Sequence, residues 1–228
     1  MRFDLLIFDL DGTLIDSCLD LALAVNAARA NAGMAPIEHE RIYSYVGNGA
    51  PALVRRSLGD GVSDAIVEES LAFFYEYYRE HMLDNTGLYP GVQEGLDQLL
   101  AQGARMAVLT NKPVRFSQII VDRLGLNAHF REVYGGNSFE TKKPDPFGLN
   151  RLVEELGATK ATTLMVGDSA VDIDTARNAG VASCGVSYGL QPESFETSPP
   201  DFLVDRFDQV VRVASNGELA RFSRHVAG

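Results

Sequence analysis

Asp9 and Asp11 stand directly behind the apolar run Leu5, Leu6, Ile7, Phe8, with Leu10 between them and Gly12, Thr13, Leu14 following. Such a run, closed by a turn signal, reads as a strand buried on both faces, so the two acids emerge at its carboxyl end. Strand alternation puts them on one side, about 7 Å apart along the chain, close enough for one cation to join them. The chemistry this suggests is phosphoryl transfer. Asp11-Gly12 is also a strong hairpin dipeptide, so a plain turn is the competing reading. Three further strand ends carry polar groups: Thr110-Asn111, the Lys142-Lys143 loop, and Asp168. Each has a duller explanation. Thr110 and Asn111 suit a helix cap, loop lysines are usually solvated, and Asp168 suits a turn. Pro144 and Pro146 around Asp145 stiffen the lysine loop and aim a side chain at a fixed point. In a parallel sheet all four ends meet at one edge, where open α/β sheets bind ligands.

The elements that must hold these residues can be read from periodicity. After Leu14 the spacing becomes helical, with Ser17 and Asp20 in the arrangement of a capping box and an apolar face through Leu21, Ala24, Val25 and Ala28 as far as Gly33. Short helices follow at Ile42 to Val46 and Pro51 to Leu58, separated by Gly47, Asn48 and Gly49. Ser63 caps a longer helix whose stripe is Val67, Leu71, Phe74, Tyr78 and Met82. No strand is expected between Ile15 and Asn85. From Tyr89 the chain alternates helix and strand, with strands at Arg105 to Leu109, Glu132 to Tyr134, Thr162 to Val166, Ser183 to Val186 and Phe202 to Val204. The expected fold is α/β: a Rossmann-like parallel core over 1–15 and 86–228, with a small helical domain over 16–85 inserted after the first strand.

The ordered set of motifs resembles the haloacid dehalogenase superfamily over nearly the whole chain. Its Asp-x-Asp-Gly-Thr motif is matched at Asp9 to Thr13, its Thr or Ser strand end at Thr110, its lysine ahead of Pro-x-Pro at Lys143, and its Gly-Asp-Ser-x-x-Asp at Gly167, Asp168, Ser169 and Asp172. The resemblance implies that Asp9 is a nucleophile forming an aspartyl phosphate and that Asp11 is general acid and then base. It implies Mg²⁺ held by Asp9, the main-chain carbonyl of Asp11, and Asp168. Phosphate would be bound by Gly12, Thr110, Asn111 and Lys143, and Asp172 would orient Lys143 or metal-bound water. The inserted helices correspond to the family's small cap.

The run from Tyr45 to Arg56 is similar to the cap segment of bacterial phosphoglycolate phosphatases. On that similarity Gly47, Asn48 and Gly49 let main chain approach the ligand, and Arg55 or Arg56 clamps a substrate carboxylate, against the simpler view that both arginines are solvated. A phosphatase of sugar phosphates or nucleotides, a phosphosugar mutase and a non-enzymatic phosphorylated receiver are the rival readings. The receiver needs about half this length and no cap, and Thr13 favours hydrolysis over the mutase.

Composition narrows the partners. With 228 residues, 46% of them hydrophobic and a net charge of −11, the chain can build a full core and is a poor partner for nucleic acid. The partner expected is a small-molecule phosphate ester, with a homodimer left open. Cys18 and Cys184 show no metal spacing, nor do His39, His81, His129 and His225. No eighteen-residue apolar run exists, and Asp4 interrupts the start, so a cytoplasmic protein without a membrane span is expected.

Overall fold

β1 spans Leu5–Phe8, and all four of its side chains are buried. Leu6 and Phe8 pack on one side with Val108 and Val166, while Leu5 and Ile7 pack on the other with Ala107 and Met165. That alternation is what a strand covered on both faces requires, and it explains why the run is continuously apolar. In this computed structural model, which describes residues 1–217, the other elements follow in chain order. Residues 218–228, His225 among them, lie outside the described residues.

β2 is Ile15–Asp16, then come α1 Cys18–Asn31, α2 His39–Tyr43, α3 Ala50–Leu58 and α4 Asp64–His81, and β3 is Gly87–Leu88. There follow α5 Val92–Ala101, β4 Arg105–Leu109, α6 Val114–Arg123, β5 Glu132–Tyr134, α7 Phe147–Glu155, β6 Thr163–Gly167, α8 Ala170–Ala179, β7 Ala182–Val186, β8 Phe202–Val204 and α9 Phe207–Asn216. Among the described residues the main sheet has six parallel strands in the order β5-β4-β1-β6-β7-β8. The chain moves outward from β1 on one side and then returns to fill the other, so the strand order reverses at β1. Phe8 pairs with Val108 and with Val166, which brings the ends of β4, β1 and β6 to one level. A crevice outside the carboxyl ends at such a reversal is where an α/β sheet receives its ligand.

Two expectations need correction. β2, inside the stretch expected to hold no strand, pairs antiparallel with β3 just beyond that stretch in a two-residue ribbon. Two residues are too few to show alternation, so the pairing is decided by chain segments meeting in space. Ser17 and Asp20 do not form the expected capping box. Ser17 instead donates to Asp11 at 2.5 Å. The buried Asp20 carboxylate accepts five hydrogen bonds, from the main-chain and side-chain groups of Asn85 and Thr86, at 2.7–3.1 Å. Asp20 thus ties the entry helix to the chain leaving the inserted helices. α9 also went unread in the sequence. Its Phe207 stacks on Phe8 with ring centroids 5.9 Å apart, and it packs against α5.

α1, α3 and α4 pack on one another, with α2 against α1. Ser63 receives the Ile66 amide at 3.4 Å at the start of α4, as expected, and Val67, Phe74, Tyr78 and Met82 of the stripe are buried, with Leu71 partly so. No helix of the described residues is long and apolar enough to cross a membrane. Cys18 and Cys184 are both free and buried.

Candidate active site

Asp9 is the first residue past β1, and its amide still donates to Val166 at 2.9 Å, so the sheet itself sets its position. Lys143 Nζ lies 2.9 Å from Asp9 Oδ1 and 2.6 Å from Asp172 Oδ1. Lys143 is 4% exposed and Asp172 fully buried. Asp172 Oδ2 accepts the Ser169 amide at 3.2 Å and the Ser169 hydroxyl at 2.8 Å, so both its oxygens are engaged in holding Lys143 and the first turn of α8. Asp168 Oδ2 accepts the Leu190 amide at 2.7 Å.

Carboxylate oxygens of Asp9, Asp168 and Asp172 lie within 4.8 Å of one another, and Asp9 Oδ1 has no aligned hydrogen-bond donor. Three buried acids face one ammonium. Burial, with the Asp172 charge, outweighs Lys143 and pushes the Asp9 carboxyl up to about 6. Burial followed by Asp172 and Asp9 raises Asp168 well above the usual carboxylate range. Burial works against the Lys143 charge, but Asp172 and Asp9 more than offset it and its ammonium is held above the ordinary value. An oxygen-only donor set with surplus negative charge fits a hard divalent cation such as Mg²⁺.

Gly12 adopts φ +81, and a Cβ there would lie 2.1 Å from Asp168 Oδ2, so only glycine lets the turn after β1 close onto the acid. Thr110 follows β4 and lines the cavity; its hydroxyl oxygen accepts the Lys112 amide at 3.3 Å, which leaves the hydroxyl proton for a ligand. Thr110 does not cap α6, which begins at Val114 behind Pro113, so the cap expected of it is not formed. Asn111 also lines the cavity. Its amide group donates to Gly47 O at 2.9 Å and Lys143 O at 3.1 Å, so its side-chain donors are spent joining two loops, not free for phosphate.

The residues of the inserted helices divide. Gly47 and Gly49 line the cavity, and at Gly49, φ +83, a Cβ would stand 2.9 Å from Asn111 O, so the close main-chain approach expected there is present. Asn48 offers its carbonyl to the exposed Lys142 at 2.8 Å. Arg55 and Arg56 do not reach the site. α3 turns Ala50 and Leu53 toward the cavity; Arg55, two positions past Leu53, lies on the other side of the cylinder, and Arg56, though nearer in phase to Leu53, does not line the cavity. Arg55 pairs with Asp64 on the exposed surface at 2.5 Å, and Arg56 is exposed. Neither arginine lines the cavity, so the expected carboxylate clamp is not formed in this structure.

Lys112 escaped the sequence reading. It is 6% exposed, lines the cavity, and its Nζ lies 2.9 and 3.1 Å from the two oxygens of Asp11 and 2.7 Å from the Tyr78 hydroxyl. Burial opposes its charge, while Asp11 and Tyr78 raise its basicity further. The signal was available: Lys112, like Lys143, follows a strand's carboxyl end. Tyr78 lies on the apolar stripe of α4 and its ring is buried, but its hydroxyl carries the polar tip to Lys112.

A parallel sheet whose switch point gathers acids, a lysine and a threonine, beneath an insertion of helices, defines a hydrolase class. The chain belongs to the haloacid dehalogenase-like hydrolase family, whose pattern it matches over residues 6–186. It is 39% identical over 214 residues to the phosphoglycolate phosphatase of Chromobacterium violaceum, covering 92% of this chain and 96% of that one. To the phosphoglycolate phosphatase of Pseudomonas putida it is 41% identical over 208 residues, covering 88% and 76%. The crystal structure of a predicted phosphoglycolate phosphatase from Haemophilus somnus superposes with a TM-score of 0.88 at 33% identity, covering 93% of this chain and 98% of that one.

Proposed function

We propose that this hydrolase is a Mg²⁺-dependent phosphatase of a small phosphomonoester, with 2-phosphoglycolate the favoured substrate, acting in the cytoplasm. The observation that carries the reading is the buried set of Asp9, Lys143, Asp172 and Asp168 at the strand-order reversal. The names of the relatives support the substrate, and the apolar wall formed by Leu53, Phe74 and Phe116 disfavours a leaving group rich in hydroxyls.

Asp9 attacks phosphorus, its carboxylate oxygen forming the new P–O bond as the ester P–O bond breaks. Asp11 gives the departing oxygen a proton. Water then attacks the aspartyl phosphate and returns a proton to Asp11, which releases inorganic phosphate and restores the Asp9 carboxylate. Thr110, Lys143 and main-chain amides near Gly12 hold the phosphoryl oxygens and meet their charge in the transition state. Asp172 keeps Lys143 in place. Asp9, the Asp11 main-chain carbonyl and Asp168 would hold Mg²⁺, which supplies charge to offset the repulsion between carboxylate and phosphate dianion. Residues 16–85 form a cap that closes over this site, entered and left through the β2–β3 ribbon.

Steady-state assays over a panel of phosphate esters, with and without chelator, test the reading. Asp9→Asn is expected to lower kcat by about a thousandfold or more. Full turnover by that variant, or undiminished activity in chelator, would refute the mechanism. A tenfold advantage for sugar phosphates or nucleotides over 2-phosphoglycolate in kcat/KM would refute the substrate alone.

A further inference from the structure

With Arg55 and Arg56 turned away, a carboxylated leaving group needs another cation, because a carboxylate set against the apolar wall of Leu53, Phe74 and Phe116 would lose its hydration without compensation. Among the described residues that line the cavity, Lys112 is the cationic one. Lys143 does not line this cavity; it faces Asp9 and Asp172 and is the cation proposed for the phosphoryl group. Lys142 is exposed and donates to the Asn48 carbonyl. Lys112 is anchored from both sides of the crevice: Asp11 holds it from the sheet, and Tyr78 holds it from α4 through the hydroxyl at 2.7 Å, with the ring centroid 4.7 Å from Nζ.

We infer that Lys112, fixed by Tyr78, is the binding residue for a carboxylate on the leaving group, and that the favoured substrates carry this carboxylate one methylene from the ester oxygen. The spacing follows from Asp11. The group proposed to protonate the ester oxygen is 2.9 Å from the Lys112 ammonium, so an anion bound there lies beside that oxygen and not at the end of a longer chain. The three N–H donors of Lys112 here face both Asp11 oxygens and the Tyr78 hydroxyl, so a substrate carboxylate takes the donor now set 3.1 Å from Asp11 Oδ2 while the other Asp11 contact and Tyr78 keep the ammonium in place. Tyr78 belongs to the inserted helices and Lys112 to the loop after β4, so the anchor is complete only when the two are apposed as they are here. The inference rests on the phosphatase reading above and adds to it the residue that selects the leaving group.

The test compares 2-phosphoglycolate with ethyl phosphate, which has the same ester with a methyl group in place of the carboxylate, using the Mg²⁺-loaded enzyme. Lys112→Met is expected to lower kcat/KM for 2-phosphoglycolate by roughly tenfold or more beyond its effect on ethyl phosphate, the size of a lost hydrogen bond to a charged group. Lys112→Arg should recover much of the preference. Tyr78→Phe, which keeps the ring and the packing, is expected to raise KM for 2-phosphoglycolate several-fold while moving ethyl phosphate less. Equal losses on both esters in Lys112→Met, or in Tyr78→Phe should Lys112→Met not fold, would overturn the assignment. A wild-type enzyme that cleaves neither ester would overturn the phosphatase reading itself, a distinguishable result.

Discussion

The acid cluster makes Asp9 the residue whose protonation most directly reports the state of the site. Its carboxyl is raised from 3.8 to about 6, chiefly by burial. A carboxyl with a raised value in the folded state binds more protons folded than unfolded, so its contribution to stability falls as pH rises between those two values. In chelator, the Tm of the wild-type protein should therefore decrease more between pH 4.5 and pH 7 than that of Asp9→Asn, as read by thermal unfolding. Parallel curves would show that Asp9 is not the strained acid. Mg²⁺ at neutral pH should raise the wild-type Tm by binding the folded state alone. The sequence announced Asp9, Asp168 and Lys143, because an acid or lysine at the end of an apolar strand run is a local signal. It did not announce Lys112, whose partner Asp11 lies 101 positions away.

At the scale of elements, the legs of the insertion depend on one buried carboxylate. Asp20→Ala leaves the donors of Asn85 and Thr86 unsatisfied and should cost about 2–4 kcal/mol by denaturant unfolding, with faster amide exchange at those two residues. A loss under about 0.5 kcal/mol would show that water replaces the carboxylate at no cost. The opposite is expected of α3. Arg55 pairs with Asp64 in solvent, so Arg55→Ala should change stability by under about 1 kcal/mol and leave KM for 2-phosphoglycolate within twofold. A selective rise in that KM would restore Arg55 as a carboxylate clamp. Apart from α9, the helices were legible from apolar spacing and from glycine and serine boundaries. The face each helix turns to the cavity was not, because α3 is amphipathic against its own neighbours and its apolar stripe does not say which neighbour is the site.

Across the whole molecule, three side chains of the sheet-bearing part donate to main-chain carbonyls of one loop of the insertion. Asn111 reaches Gly47, Lys142 reaches Asn48, and Gln191 reaches Val46 at 2.5 Å and Ser44 at 3.4 Å. Gln191 lies outside the proposed chemistry and so isolates the closure. Gln191→Ala should raise KM a few-fold with little change in kcat if these bonds hold the closed form; an unchanged KM would show that the loop is held without them.

The sequence by itself determined the class of fold and placed Asp9, Lys143 and Asp168 at one edge of the sheet. Those features are written in short-range patterns: an apolar run with its turn, a proline-flanked lysine, an alternation of strand and helix. Tertiary structure alone decided that Asp20 joins residues 65 and 66 positions away, that Lys112 meets both Asp11 and Tyr78, and that Arg55 faces solvent. A buried polar group must find a partner, and which partner it finds depends on segments that only packing brings together.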